Sequence, residues 1–305
     1  MTTATGPARR ATLPNGLEIA YQGKAEMEQM YDDIFEKRVY ARQGITLRDG
    51  DTVFDVGGNI GLFTLFVALH HPGVRVYTFE PAPPLFEILT ANAAPYGERI
   101  HRFNCGLSSQ AGEAELTFYP HTSGMSSFYP DETEEREALR TLLHNEMARG
   151  KEGVEDLLQY EEELLAVRFH RETLTCRLRT LSEVIREERV ERIDLLKVDV
   201  EKSELDVLAG LDEADWPKLQ QAVLEVHDLG DRLERVTDLF RTHGFRVTRD
   251  QDDLYHGSDR WNLYALRETL DAPPDPTRRR PDRAAALDRI EDRARKLREA
   301  MRGRR

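Results

Sequence analysis

Short apolar runs alternate with helix-like segments along most of the chain, and this alternation predicts the fold. Nearly continuous apolar runs are typical of strands covered on both faces of a sheet. The predicted strands are TVFDV (52–56), VRVYTFE (74–80), IHRFNCGL (100–107), IDLLKVDV (193–200), AVLEVHD (222–228), FRVTRDQ (245–251) and WNLYALRE (261–268). Helical segments separate most of them, so the pattern predicts a doubly wound α/β fold. Its seven-stranded sheet is mostly parallel, with an antiparallel pair at one end.

Residues 1–45 precede the sheet and are predicted to form a leader and a helical cover. The polar leader, 1–16, ends in the turn Pro14-Asn15-Gly16, because these residue types favour turn backbone. A helical pattern follows from 26 to 40. Its apolar face contains Met27, Met30, Tyr31, Ile34 and Phe35. The main domain is then expected at 46–270.

Two segments interrupt the alternation of strands and helices. Residues 131–170 are charged and favour helix, so they form either an inserted helical lid over a substrate or a solvated helical excursion. Residues 271–305 are predicted to form a proline-rich linker and a basic amphipathic helix. Its apolar seam, within 284–301, contains Leu287, Ile290, Ala294, Leu297 and Met301. Because so short a free helix is marginal in water, it either docks to a synthase, self-associates, or folds back on its own acidic domain.

Composition narrows the function classes. The formal net charge of −13 disfavours a nucleic-acid binder, because phosphate groups would be repelled. The two cysteines, Cys105 and Cys176, have no paired spacing, which excludes a disulfide framework and a cysteine-rich zinc site. The chain has neither a run of 18 apolar residues nor an apolar leader, so we expect a cytoplasmic protein that does not span a membrane.

The sequence DVGGNIG, residues 55–61, marks the first candidate site. A glycine turn between a strand and its helix lets the backbone approach a ligand and directs free N–H groups at it. A dinucleotide-binding loop would read G-x-G-x-x-G, but the register from Gly57 places Asn59 and Leu62 at the later glycine positions. Asp55 at the strand end disfavours an anionic pyrophosphate. Its carboxylate suits the ammonium and sulfonium groups of S-adenosylmethionine.

Glu80 ends the next predicted strand, 19 residues after Gly61. An acidic residue at this place can accept hydrogen bonds from both ribose hydroxyls of an adenosyl group. A solvated carboxylate at a strand end is the alternative for Glu80 taken alone. Together, Glu80 and the glycine turn favour a binding site for S-adenosylmethionine.

These motifs resemble those of the FkbM-type S-adenosylmethionine-dependent methyltransferases. The resemblance extends from about residue 13 to 266 and rests on VFDVGGNIGLFTL (53–65), YTFEP (77–81), FNCGLSS (103–109), IDLLKVDVEKSELDVLAG (193–210) and VLEVHD (223–228). It implies a Rossmann-like class I methyltransferase fold, with the segment 104–108 near the adenine. The implied cofactor contacts are Asp55, Gly57, Asn59, Gly61, Glu80, Asn104, Gly106, Ser108 and Asp199.

The chain departs from the family pattern at Lys202, because the family usually has glycine after Asp-Val-Glu. The stretches LPNGLEIAY and IFEKRVYARQGITLRDGD are similar to the branch associated with polyketide and nonribosomal peptide biosynthesis. On this basis we expect methylation of a hydroxyl on such a secondary metabolite. The acceptor is either a free small molecule or an intermediate tethered to a carrier protein.

Catalytic candidates follow the fourth and fifth predicted strands. Methyl transfer needs an aligned acceptor and a group that removes its proton. Asp199, Glu201 and Lys202 follow one strand, and Glu225 and His227 end the other, so all meet beside the cofactor crevice. His227 has the reference pKa nearest neutrality and is the simplest general base, unless it is a buried histidine satisfied by hydrogen bonds. Lys202 would need desolvation to act as a base; otherwise it is a solvated lysine.

The same side chains suggest a metal site. Asp199, Glu225 and His227, with waters, form a possible Mg²⁺ site that would lower the pKa of a bound hydroxyl. Alternatively, Asp199 and Glu225 bind the substrate or cap helices.

Substrate-binding candidates lie in three places. SGMSSFYP, 123–130, offers the hydroxyls of Ser126 and Ser127 to an acceptor pocket, or simply forms a loop. Tyr31, and Tyr21 before it, either cover the cofactor or pack in the protein. Glu201 is the remaining candidate, beside the cofactor crevice.

Other functions compete with O-methylation. N- or C-methylation and an S-adenosylmethionine enzyme that transfers no methyl group would use the same cofactor site. An NAD-dependent oxidoreductase would be stabilised by NADH and not by S-adenosylhomocysteine. A non-catalytic adaptor would tolerate loss of Asp199 and His227.

Overall fold

The fold is known from a computed structural model that describes residues 9–131, 133–134, 136–137, 140–141, 170–252 and 255–268. The chain begins there with a hairpin of β1 (Arg9–Thr12) and β2 (Glu18–Tyr21). The turn between them contains the expected Pro14-Asn15-Gly16, and Asn15 Oδ1 accepts a hydrogen bond from the Leu17 N–H. The predicted polar leader thus contains strand β1 from residue 9 onward, and the pairing of β1 with β2 was not predicted. Residues 1–8 lie outside the described part.

A helical cover follows the hairpin. It consists of α1 (Lys24–Tyr31), a π-helical turn (Asp32–Glu36) and a 3₁₀ turn (Val39–Ala41). Four of the expected apolar residues are buried, namely Met27, Tyr31, Ile34 and Phe35, while Met30 is partly buried. The helical pattern therefore identified the buried face of this cover, although the helix is shorter than 26–40.

The central sheet contains seven strands. In chain order they are β3 (Thr52–Val56), β4 (Arg75–Phe79), β5 (Ile100–Phe103), β9 (Leu195–Val198), β10 (Gln221–His227), β11 (Phe245–Asp250) and β12 (Arg260–Arg267). Their spatial order is β11-β12-β10-β9-β3-β4-β5. β12 runs antiparallel to both of its neighbours, and the pairs from β10 to β5 are parallel. This is the Rossmann-like methyltransferase arrangement that the sequence predicted, including the antiparallel pair.

Within the described residues, five α-helices follow α1: α2 (Leu62–His70), α3 (Pro83–Ala93), α4 (Leu181–Glu187), α5 (Glu204–Ala209) and α6 (Arg232–Thr242). Residues 62–69 of α2 are all buried, so this helix lies inside the core. Helix α4 begins with a capping box, in which Thr180 and Glu183 satisfy each other's backbone N–H groups. One apolar cluster packs on each face of the sheet, which explains the continuous apolar strands.

A second, three-stranded sheet was not predicted. It has the order β6-β8-β7, formed by β6 (Gly106–Leu107), β7 (Gly112–Phe118) and β8 (Glu172–Arg179). The predicted strand 100–107 is therefore two strands, because the chain leaves the central sheet after Phe103 and joins the second sheet at Gly106. Strands β7 and β8 bring the two ends of the 131–170 insertion together.

Most of the insertion, and the whole of 271–305, lie outside the described residues. The lid, the linker and the amphipathic helix with its docking function therefore stay predictions, as do the domain boundaries. None of the helices in the described part of the chain has both the length and the apolar character needed to cross a membrane. Cys105 and Cys176 are both buried as free thiols.

Candidate active site

The glycine turn joins β3 to α2 at the edge where the parallel strands end. Gly57 has a φ of 82°, and a Cβ there would lie 1.8 Å from the Asp199 carbonyl oxygen. Gly61 caps α2 with a φ of 91°. Asn59 has a φ of 47°, a left-handed conformation that asparagine tolerates better than most residues. Glycine is required at Gly57 because two backbones meet there.

Asp55 lies beneath this turn, where it is fully buried. Its Oδ2 accepts a hydrogen bond of 2.6 Å from Thr64, and its Oδ1 lies 3.1 Å from Lys197 Nζ. The same lysine donates to the Gly57 carbonyl oxygen at 2.7 Å. Lys197 already supplies a positive charge to Asp55, which disfavours the expected contact with a cationic ligand; the cofactor contact of Asp55 stays a prediction. Asp55 holds the turn from below.

Glu80 occupies the end of β4, next to the glycine turn. Its Oε2 accepts from the Asn59 N–H at 2.8 Å, and its Oε1 accepts from the Ala82 N–H at 2.9 Å. Burial raises the pKa of Glu80 to about 7, although these two N–H groups favour the ionised form. A carboxylate offers about four acceptor positions, so Glu80 retains capacity for two hydroxyl donors.

The segment expected near the adenine follows β5. Asn104 Nδ2 donates to the carbonyl oxygens of Glu80 and Pro81, at 2.8 and 3.1 Å. Gly106 packs so closely against Leu178 that a Cβ would lie 2.9 Å from its Cδ2. The Ser108 N–H donates to the Arg179 carbonyl oxygen. These residues therefore hold the loop together in the free protein. Their predicted position near the adenine stays a prediction.

Asp199 lies beside the glycine turn, at the end of β9. Its Oδ2 accepts a hydrogen bond of 2.5 Å from the Tyr40 hydroxyl and lies 3.7 Å from Lys197 Nζ. Its side chain is 29% exposed, whereas that of Asp55 is fully buried. Asp199 is thus the carboxylate next to Gly57 that remains open to a ligand.

A chain of alternating charges continues from Asp199 along the strand ends. Arg260 Nε lies 3.1 Å from Glu225 Oε1, and its Nη2 lies 3.2 Å from Glu201 Oε1. His227 Nε2 lies 2.8 Å from Glu201 Oε2, and its Nδ1 lies 3.1 Å from Asp259 Oδ2. The structure therefore brings together Glu201, Glu225 and His227, as the sequence predicted.

The surroundings of His227 disfavour a function as general base. Burial opposes its charge, but the carboxylates of Glu201 and Asp259 at its two ring nitrogens raise its pKa well above the usual value. Both nitrogens are donors in the resulting imidazolium, so neither can accept a proton. These contacts favour the alternative of a buried histidine satisfied by hydrogen bonds, and the function of His227 as general base stays a prediction.

Burial also raises the pKa of Glu225. Arg260 opposes this shift, and the neighbouring Asp199 reinforces it. The pKa of Glu225 is therefore closer to neutral pH than that of an ordinary glutamate, which suits a group that accepts a proton.

The predicted metal ligands do not form an open cation site. The ligand atoms of Glu201, Glu225 and His227 lie within 4.8 Å of one another, and Asp199 is absent from this group. Arg260 contacts both glutamates, and the His227 imidazolium supplies a second positive charge. Mg²⁺ would have to displace the guanidinium and compete with a proton. These residues do not fit Mg²⁺ as arranged.

Lys202 is turned towards the insertion. Its φ is 66°, which explains why glycine suits this position. Its Nζ lies 3.0 Å from Glu134 Oε2, and its side chain is 6% exposed. Lys202 is therefore a buried lysine paired with Glu134. This contact favours neither of the alternatives expected from the sequence, a catalytic base or a solvated lysine.

Three predicted substrate residues have structural roles instead. Tyr31 is buried and stacks on Phe35 with 4.9 Å between ring centroids. Ser126 Oγ accepts from the Tyr119 N–H, and Ser127 Oγ donates to the Glu201 carbonyl oxygen at 2.7 Å. Ser127 is 2% exposed, so its hydroxyl is not presented to an acceptor. Of the four predicted substrate residues, only Glu201 lies within the charged cluster.

Several residues of the site were not predicted from the sequence. Tyr40 contacts Asp199, Lys197 bridges Asp55 and Asp199, and Arg260 bridges the two glutamates. Lys197 was visible as the one charged residue inside the apolar stretch LLKV (195–198), which is a signal for a buried ion pair. Tyr40 and Arg260 lie far along the chain from their partners and carry no local signal.

Several known proteins are similar in sequence to most of this chain. The family model described as the methyltransferase FkbM domain matches residues 55–247. The 31-O-demethyl-FK506 methyltransferase FkbM of Streptomyces tacrolimicus is 44% identical over 255 residues, which cover 84% of this chain and 95% of that protein. The methyltransferase sdnD of Sordaria araneosa is 34% identical over 240 residues, covering 75% of this chain and 85% of that protein.

A further relative is much larger. The AMB antimetabolite synthetase AmbE of Pseudomonas aeruginosa is 44% identical over 262 residues, which cover 84% of this chain but 12% of that protein. A methyltransferase domain of this kind implies the use of S-adenosylmethionine. The chain belongs to the FkbM methyltransferase family.

Proposed function

We propose that this enzyme methylates a hydroxyl group of a secondary metabolite of the polyketide or nonribosomal peptide type. The name of the Streptomyces relative describes a methyltransferase that acts on an O-demethyl compound, which favours oxygen as the acceptor atom. The observation that carries the proposal is the position of Asp199. It is the open carboxylate beside the glycine turn, and the charged cluster extends from it across the strand ends.

The cofactor lies between Glu80 and Asp199 in this proposal. Glu80 accepts hydrogen bonds from the ribose hydroxyls, and the glycine turn leaves room for the backbone to approach the ligand. Asp199 faces the ammonium group, the function that the sequence first suggested for Asp55. When bound, S-adenosylmethionine supplies an electrophilic methyl group.

Glu225 is the proposed proton acceptor. Glu225 would accept the proton that the acceptor hydroxyl loses when its oxygen takes up the methyl group. Its raised pKa matches this function near neutral pH. Arg260 holds Glu225 in place through its Nε, and Tyr40 holds Asp199 in place through its hydroxyl.

The acceptor is proposed to be tethered to a carrier protein. Support comes from the Pseudomonas relative, a synthetase of which the matched region forms 12%. In that relative the matched region is therefore part of a much longer synthetase chain.

The test is methyl transfer from deuterium-labelled S-adenosylmethionine to hydroxylated intermediates, presented both free and on a carrier protein. Mass spectrometry should show a labelled methyl group, and chemical degradation should place it on oxygen. A label on nitrogen or carbon would overturn O-methylation, and equal rates for free and tethered acceptors would overturn the tethering. Glu225→Gln should abolish transfer but retain cofactor binding, whereas Asp199→Asn should weaken that binding.

A further inference from the structure

A separate hydrogen-bonded chain reaches the glycine turn from the N-terminal cover. Glu26 lies in the first turn of α1, where its Oε2 accepts a hydrogen bond of 3.0 Å from the Ser123 hydroxyl. Its Oε1 accepts from the Gly124 N–H. The carboxylate therefore does not cap its own helix; it binds a loop about a hundred residues further along the chain.

Ser123 transmits this contact to the turn. The side chain is buried, with 4% exposure, and its Oγ accepts from Asn59 Nδ2 at 3.3 Å. The backbone N–H of the same asparagine donates to Glu80 Oε2 at 2.8 Å. A continuous path thus leads from Glu26 through Ser123 and Asn59 to Glu80.

We propose that Glu26 is a positioning residue for the cofactor site. It fixes Asn59 through Ser123, and Asn59 in turn orients the carboxylate that receives the ribose hydroxyls. The inference rests on the proposed binding of the cofactor at Glu80. It gives the N-terminal cover a second contact with the binding edge, in addition to the hydrogen bond from Tyr40 to Asp199.

The physical basis is the geometry of the turn. Asn59 holds a left-handed backbone conformation, which persists only where its surroundings determine it. The Asn59 side chain has a second fixed contact, since its Oδ1 accepts from the Ile60 N–H at 2.7 Å. Loss of the Glu26 carboxylate leaves the Ser123 hydroxyl and the Gly124 N–H without this acceptor, so the Ser123 oxygen that holds the asparagine side chain is less firmly placed. The Asn59 N–H then points less consistently at Glu80.

The experiment is calorimetric titration of the full chain with S-adenosylhomocysteine. Glu26→Ala should weaken binding about tenfold, and Glu26→Gln should restore part of the loss because its amide oxygen still accepts one hydrogen bond. Glu28→Ala is the matched control, since Glu28 lies on the same helix, is exposed and pairs with Lys24. Binding by Glu26→Ala within about twofold of the wild type would overturn the proposal.

A double-mutant cycle distinguishes transmission through Ser123 from a general effect on folding. If Glu26 acts through Ser123, the variant carrying both Glu26→Ala and Ser123→Ala should lose no more affinity than the worse single variant. Additive losses would overturn the path. If Glu26→Ala does not fold, Glu26→Gln takes its place in the cycle. Failure of the wild type to bind S-adenosylhomocysteine would refute the proposed function itself, whereas normal wild-type binding with insensitive variants would refute only the positioning.

Discussion

Lys197 on β9 lies directly across from Asp55 on β3, and its ammonium nitrogen is 3.1 Å from the aspartate Oδ1. The two side chains are 3% and 0% exposed. The lysine also donates to the Gly57 carbonyl oxygen, so one buried cation joins the strand, the turn and the carboxylate. This pair explains why a charged residue interrupts an otherwise apolar strand.

Replacement of Lys197 by methionine should strongly destabilise the protein. It leaves Asp55 buried without its counter-charge, and breaking such a pair costs about 3–5 kcal/mol. Urea unfolding measures the loss. Lys24→Ala is the control, because its pair with Glu28 is mostly exposed and should contribute less than about 1 kcal/mol. A loss below about 1 kcal/mol for Lys197→Met would show that Asp55 is neutralised in another way.

Gly57→Ala should abolish cofactor binding and destabilise the fold. The left-handed conformation costs a non-glycine residue about 1–2 kcal/mol, and the new Cβ would meet the Asp199 carbonyl oxygen. Titration with S-adenosylhomocysteine and thermal unfolding test both effects. Gly112→Ala is the matched control, because a Cβ there meets no atom within 4 Å. Equal behaviour of the two variants would contradict the close backbone approach.

Affinity for S-adenosylhomocysteine should rise with pH through about 7. Glu80 has a pKa of about 7 in the ligand-free protein, and only its ionised form accepts two hydroxyl donors. Below this pKa the ligand must expel a proton, so affinity should fall by about tenfold between about pH 8 and about pH 6. Titrations across this range test the slope. The Glu80→Gln variant should bind more weakly and lose the dependence; a flat wild-type profile would contradict the assignment.

Lys202→Gly should remain stable and active. Glycine removes the strain of a left-handed residue, about 1–2 kcal/mol, which offsets the lost contact with Glu134. Lys202→Ala keeps that backbone strain without the ion pair and should be the less stable of the two. Unfolding and methyl-transfer assays compare them. If Lys202→Gly bound cofactor normally but transferred no methyl group, Lys202 would be catalytic after all.

The sequence predicts the central sheet well because its strands are buried on both faces. TVFDV and AVLEVHD match β3 and β10 to within a residue at each end. Strands β7 and β8 escaped prediction because charged or polar residues occupy most of their exposed positions, with few buried apolar residues such as Leu116 and Cys176 between them. A half-exposed strand beside a charged insertion gives only a weak apolar signal.

The candidate site was predicted in part. Strand ends carry a positional signal, so Glu80, Asp199 and Glu225 were found from the order of strands alone. The ionisation states of the site residues were not predicted, because they depend on partners from distant segments. Asp55 pairs with Lys197 on β9, and the carboxylates of Asp259 and Glu201, from other segments, raise the pKa of His227. No local sequence pattern indicates these contacts.

Calorimetric titration of the wild-type chain with S-adenosylhomocysteine, repeated with Asp199→Asn and Glu80→Gln, tests the cofactor site between these two carboxylates most directly. The wild type should bind one molecule per chain, and each variant should bind at least about tenfold more weakly. Unchanged affinity in both variants, or no heat from the wild type, would contradict the account.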